Sequence, residues 1–94
     1  MAKKFSFSII TPEGMAYETE AEVIEIVSSA GSLGIMAGHE PIITDSPPGK
    51  VRILKDKVWT SHNCDGGVFI MDGEKARLLT TFAGAEESAR QAGQ

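Results

Sequence analysis

Few side chains in this sequence could do chemistry. It has one cysteine, Cys64, and two histidines, His39 and His62. A thiolate with an imidazole base would make a nucleophile. Nothing local supports that pairing, and a lone cysteine beside a turn reads as a small half-buried residue. One cysteine and two histidines also leave a Cys/His zinc site short of ligands. His62 stands where its neighbours alternate, and is expected as a partly exposed strand residue. His39 precedes Glu40-Pro41 and is expected to fix its loop by bonding backbone. Glu18, Glu20, Glu22 and Glu25 could pair for acid and base work, but charges along a strand more readily guard a sheet edge. Gly31-Ser32-Leu33-Gly34 could cradle phosphate through backbone N–H groups. It lacks the lysine and Ser/Thr of a P-loop, and Gly49-Lys50 is followed by Val51 where a magnesium-binding hydroxyl would stand. No catalytic residue, metal or cofactor is expected, which leaves a binding module.

Strands must position any such surface. Phe5-Ser6-Phe7-Ser8-Ile9 alternates with period two. Thr11-Pro12-Glu13-Gly14 then reverses the chain into Met15-Ala16-Tyr17. Glu22 to Val27 reads as a third strand, with Ile24 and Ile26 on one face. From Ser28 to Glu40 no period is visible, and this stretch is expected to be a long shaped loop rich in glycine. Ile42–Thr44, Lys50–Leu54, Val58–Asn63, Val68–Met71 and Lys75–Thr80 read as further strands, broken at Pro47-Pro48-Gly49, Asp56-Lys57, Gly66-Gly67 and Asp72-Gly73. Trp59 falls mid-strand, where core and exposed interface anchor are both open readings. Residues 83–94 contain no β-branched residue and are expected as a flexible or partly helical tail.

Composition agrees with an all-β fold. Nine Ile and five Val outnumber four Leu, and six Thr add to the β-branched total. Turns every 8 to 12 residues or so suit a sandwich or small barrel. With 94 residues, one domain is expected, whose small core makes partners valuable. A net charge of −4 offers no field for nucleic acid or anionic lipid. The short apolar runs give no reason to expect membrane insertion or a signal peptide, and one cysteine suits a reducing compartment.

The order of motifs carries a resemblance. Phe7-Ser8-Ile9-Ile10-Thr11-Pro12-Glu13, Gly31-Ser32-Leu33-Gly34-Ile35-Met36-Ala37-Gly38-His39-Glu40-Pro41-Ile42-Ile43-Thr44, Pro48-Gly49-Lys50-Val51-Arg52-Ile53, Gly66-Gly67 and Ala76-Arg77-Leu78-Leu79-Thr80 together resemble the epsilon subunit of F-type ATP synthases. The likeness runs from Phe5 to about Ala89. It implies a ten-stranded β-sandwich over residues 1–82, a non-catalytic part of the central stalk that binds the gamma subunit and the c-subunit ring and helps couple proton flow to ATP synthesis.

By the same resemblance, Gly31, Ser32, Leu33 and Gly34 would meet the c-ring, and Thr11, His39 and Thr44 would lie toward gamma. The location implied is peripheral, on the cytoplasmic face of the bacterial inner membrane. Ser32 stands where the family commonly has Glu, and Ala37 where it commonly has Pro. The family usually continues into a two-helix hairpin that can inhibit ATP hydrolysis, whereas this sequence stops at Gln94; coupling without hairpin inhibition is the expectation. The alternative from another class is a stand-alone sandwich that holds a small ligand in the glycine-rich loop.

Overall fold

The computed structural model describes residues 3–28, 31–84 and 87–91. Its elements are strands: β1 (Phe5–Thr11), β2 (Gly14–Ala21), β3 (Val23–Ser28), β4 (Gly31–Met36), β5 (Ile42–Ser46), β6 (Gly49–Lys55), β7 (Val58–Cys64), β8 (Gly67–Met71), β9 (Lys75–Thr80) and β10 (Glu87–Gln91). They form two five-stranded sheets, ordered β2-β1-β9-β8-β5 and β10-β7-β6-β3-β4. All described pairings are antiparallel except β1 with β9, which run parallel. The all-β class expected from composition is what the chain forms; of the sandwich and the small barrel that turn spacing leaves open, it is the sandwich that the resemblance implies.

The core lies between the sheets. Alternation turns Phe5, Phe7 and Ile9 of β1 inward, with Phe69, Met71, Ala76 and Leu78 beside them in the same sheet. Ile24, Ile26, Ile35, Val51 and Ile53 line the opposing sheet. Phe7 and Phe69 meet with ring centroids 6.4 Å apart, tilted by 32°, within the range where aromatic pairs attract beyond their buried area.

Three expectations are corrected. Gly31–Met36 is a strand and not part of a loop: it pairs residue for residue with β3, from Ser28↔Gly31 to Val23↔Met36. Ile35 is buried and Leu33 packs on the core, while Ser32, Gly34 and Met36 face outward. Two inward residues separated by glycine are too short a period to see in sequence. Glu87–Gln91 is extended, not helical, pairing with β7 through Glu87↔Ser61, Ser88↔Thr60 and Gln91↔Val58. Tertiary pairing there overrides a weak helix propensity. His62 is buried, not partly exposed. Its Nδ1 lies 2.9 Å from the Gly84 carbonyl and must donate to it, since a carbonyl only accepts. The Tyr17 ring sits 4.3 Å away, centroid to centroid.

Turn chemistry sets the ends. Asp56 and Lys57 both have positive φ, 51° and 67°, the handedness that matches a tight hairpin between twisted strands. That costly backbone is held from outside: the Glu22 carboxylate accepts the Asp56 N–H at 2.8 Å, and Lys4 pairs with Asp56 at 3.1 Å. At the opposite end, Gly66 has φ +102° and stands so near Ser46 and Pro48 that a Cβ would come within 2.9 Å of their backbone. A Cβ on Gly67 would overlap the Leu79 carbonyl oxygen. Only glycine lets the backbones come this close.

Gly67→Ala is expected to destabilise the fold by about 3 kcal/mol or more, read as a lowered urea midpoint with little change in slope, because backbone rather than a pliable side chain must move. A second expectation concerns the β8–β9 turn. The Asp72 carboxylate accepts the Lys75 and Glu74 N–H groups at 2.8 and 3.0 Å, and these bonds hold its pKa below the ordinary 3.8. A depressed carboxyl pKa contributes stability above the unfolded value and loses it as pH falls through the folded one. Wild type should therefore melt above Asp72→Asn at pH 7, and the gap should close below pH 3.8.

Candidate functional site

The outer face of the first sheet carries an apolar band, beside the polar residues Glu18, Ser8 and Arg77 of the neighbouring row. Register aligns Met15 with Ile10, Ile10 with Leu79 and Leu79 with Val68, one outward row across β2, β1, β9 and β8. Met15 is 58% exposed, Leu79 39% and Val68 38%. In the next row Ile70 pairs with Ile43, which is 73% exposed. A shallow concavity of about 310 Å³ opens at the β1 end of the row between Ile10, Thr11, Gly67 and Leu79. Another, of about 430 Å³, lies at the β5 edge between Ile43, Pro41 and Ile70. Contiguous exposed apolar residues of this kind mark a surface that another molecule covers.

The outer face of the second sheet differs. Its row Met36, Val23, Leu54 and Trp59 is apolar, but only Met36 is fully exposed. Beside it Arg52 bonds Glu25 at 2.7 Å and lies 4.7 Å from the Trp59 ring centroid. The guanidinium thus covers the tryptophan and is itself neutralised, so Trp59 is neither core nor a bare anchor.

The residues singled out in the sequence are spread over the sandwich. Thr11 ends β1, opposite Gly14, at the Gly66-Gly67 end of the first sheet. His39 lies at the other end: its N–H donates to Met36, its Nδ1 to the Glu40 carbonyl at 2.7 Å, and the neighbouring Gly38 N–H to Gly73. The length of β1 separates these ends, roughly 20 Å at 3.3 Å per residue. Thr44 is on the edge strand β5 opposite Phe69, half-buried and facing the core side, while Ile43 faces out. The three therefore border the apolar face and do not form one cluster. Gly31, Ser32, Leu33 and Gly34 belong to the edge strand β4 of the other sheet. Being a strand, they form no turn of converging N–H groups to hold a phosphate.

Sequence reasoning missed Ile10, Met15, Ile43, Val68 and Leu79 as surface residues. The available signal was the adjacent apolar pairs Ile9-Ile10, Ile42-Ile43 and Leu78-Leu79, which a strand with one wet face does not need.

Cys64 is buried, and burial first, then the Asp65 charge, push its thiol pKa up. That is the opposite of what a nucleophile requires. His62 reaches Gly84 and Tyr17 instead. Among the described residues no group of three or more His, Cys, Asp or Glu is placed to hold a metal.

Two five-stranded sheets packed around one core, with an apolar band on an outer face, define the class of β-sandwich domains. The β-sandwich domain of the ATP synthase delta/epsilon chain matches residues 4–85, and the chain belongs to that family. The ATP synthase epsilon chain of Caldicellulosiruptor saccharolyticus is 34% identical over 77 residues, covering 82% of this chain and 56% of its own length. That of Gloeothece citriformis is 35% identical over 85 residues, covering 90% and 60%. The chain thus spans less than two thirds of these curated relatives. Among solved structures, a chain of the Euglena gracilis mitochondrial ATP synthase OSCP/F1/c-ring assembly superposes with a TM-score of 0.78 at 17% identity, covering 85% of this chain and 52% of that one. A chain from the central stalk/c-ring of the Tetrahymena thermophila mitochondrial enzyme gives 0.70 at 17% identity, covering 87% and 66%. At these identities the superpositions speak for the fold.

Alkylation of native Cys64 by iodoacetamide at pH 8 is expected to run at least about 100-fold slower than in the urea-unfolded chain, because attack needs an exposed thiolate. Equal rates, followed by mass spectrometry, would contradict the buried assignment.

Proposed function

We propose that this chain acts as a non-catalytic central-stalk domain of an F-type ATP synthase, joining the gamma subunit to the c-ring. The observation that carries the reading is the outward apolar row from Met15 to Val68, in a chain that belongs to the delta/epsilon family. Gamma covers the outer face of the first sheet, with Thr11, Thr44 and His39 at its margins. The c-ring meets the β4 edge at Gly31, Ser32, Leu33 and Gly34.

Two partners held on different sheets of one rigid core are linked without hinge or loop between them, and that suits a part transmitting torque. Coverage by partners also stabilises a small sandwich by mass action. On this reading the domain works peripherally, on the cytoplasmic face of the bacterial inner membrane, coupling proton translocation to ATP synthesis with no cofactor of its own.

Leu79 is central to the row, so Leu79→Glu would place an unpaired carboxylate in the covered interface. Its cost there is at least about 2 kcal/mol, or roughly 30-fold in affinity. Co-purification with gamma from a reconstituted mixture is expected for the wild type, and loss of it for Leu79→Glu with unchanged far-UV circular dichroism. A wild-type chain that fails to co-purify would overturn the proposal.

A further inference from the structure

The four sheet edges are not equally protected. β2 carries Glu18 and Glu20, and its pairing with β1 is interrupted by a register shift at Ile9/Ile10. β5 is five residues long, contains Asp45, and is flanked by Pro41 and by Pro47-Pro48. β10 is equally short and its register slips between Ser88 and Gln91. Charges, prolines, brevity and bulges are the devices that stop an edge from recruiting another strand. β4 has none of them. Its six residues, Gly31-Ser32-Leu33-Gly34-Ile35-Met36, carry no charge and no proline, and pair with β3 without a shift.

We propose that β4 pairs with β4 of a second copy of this chain, antiparallel about a two-fold axis through Gly34. A two-fold perpendicular to the sheet keeps inward residues inward, so the register must pair odd with odd and even with even. The axis at Gly34 does this: Leu33 lies opposite the second copy's Ile35, Ser32 opposite its Met36, and Gly34 opposite Gly34. No like charges meet, core-side residues continue the core, and exposed Met36 gains a neighbour. Because the other edges are guarded, pairing stops at two copies and forms no filament.

The consequence rests on the function proposed above. Gly31 to Gly34 are the residues assigned there to the c-ring, so self-pairing and seating on the ring exclude one another. The dimer is the form of the unassembled subunit, in which an otherwise adhesive edge is masked, and the ring competes it apart.

Gly34 permits a clean test. A Cβ there meets nothing within 4 Å and no positive φ is required, so Gly34→Lys leaves the fold intact while setting two ammonium groups face to face on the axis. Sedimentation equilibrium should show a reversible dimer for the wild type, and a dissociation constant at least about tenfold weaker for Gly34→Lys. Gly34→Val should still dimerise.

A wild type that is monomeric up to millimolar concentration, or a dimer indifferent to Gly34→Lys, would overturn the proposal. A gamma pull-down run in parallel separates the two ideas. Both variants leave the first sheet untouched and should retain gamma; if the wild type dimerises but binds no gamma, the stalk reading fails and the edge pairing stands.

Discussion

One core has to serve two sheets, and ten short strands supply few side chains to fill it. Every inward position of the central strands is committed: Phe7 and Ile9 from β1, Leu78 from β9, Ile24 and Ile26 from β3, Val51 and Ile53 from β6. Backbones meet closely at Gly66-Gly67, against Leu79 of β9 within the first sheet and against Ser46 and Pro48, and only glycine fits there. What remains apolar after the core is satisfied must lie outside, and the Met15 to Val68 row is part of that remainder, with Val27, Met36, Ile43 and Phe82 elsewhere. The outer apolar row and the core therefore come from the same alternating strands, one residue apart.

That spacing explains what could be read in advance. β1, β6, β8 and β9 were legible because alternation or an Asp-Gly break delimits them, and the Thr11-Pro12-Glu13-Gly14 reversal fell where turn chemistry puts it. β4 was not, since Gly31 and Gly34 hide a period marked only by Leu33 and Ile35. β10 was hidden for another reason: its alanines and glutamates favour a helix locally, and only pairing to β7 reveals a strand. His62 looked half-exposed because nothing nearby in sequence indicates that Gly84 and Tyr17 enclose it.

The apolar face was not legible. Thr11, His39 and Thr44, which the motifs single out, lie at its margins, and Gly31 to Gly34 lie on the other sheet; the face itself is built by cross-strand register, a relation between residues far apart in the chain. Leu79 lies beside Ile10 because β9 pairs with β1 in that register. No local window contains that fact.

The parallel pairing also bears on how the domain comes into being. β1 is held between β2 and β9, with Phe7 beside Ala76 and Ile9 beside Leu78. During synthesis the β1–β2 hairpin emerges first and waits with one side of β1 open until Thr80 has left the ribosome. Long-range pairings of this kind form late and leave sticky edges exposed meanwhile. The glutamates of β2 guard one flank of the nascent hairpin, whereas the flank that β9 will cover has no such guard.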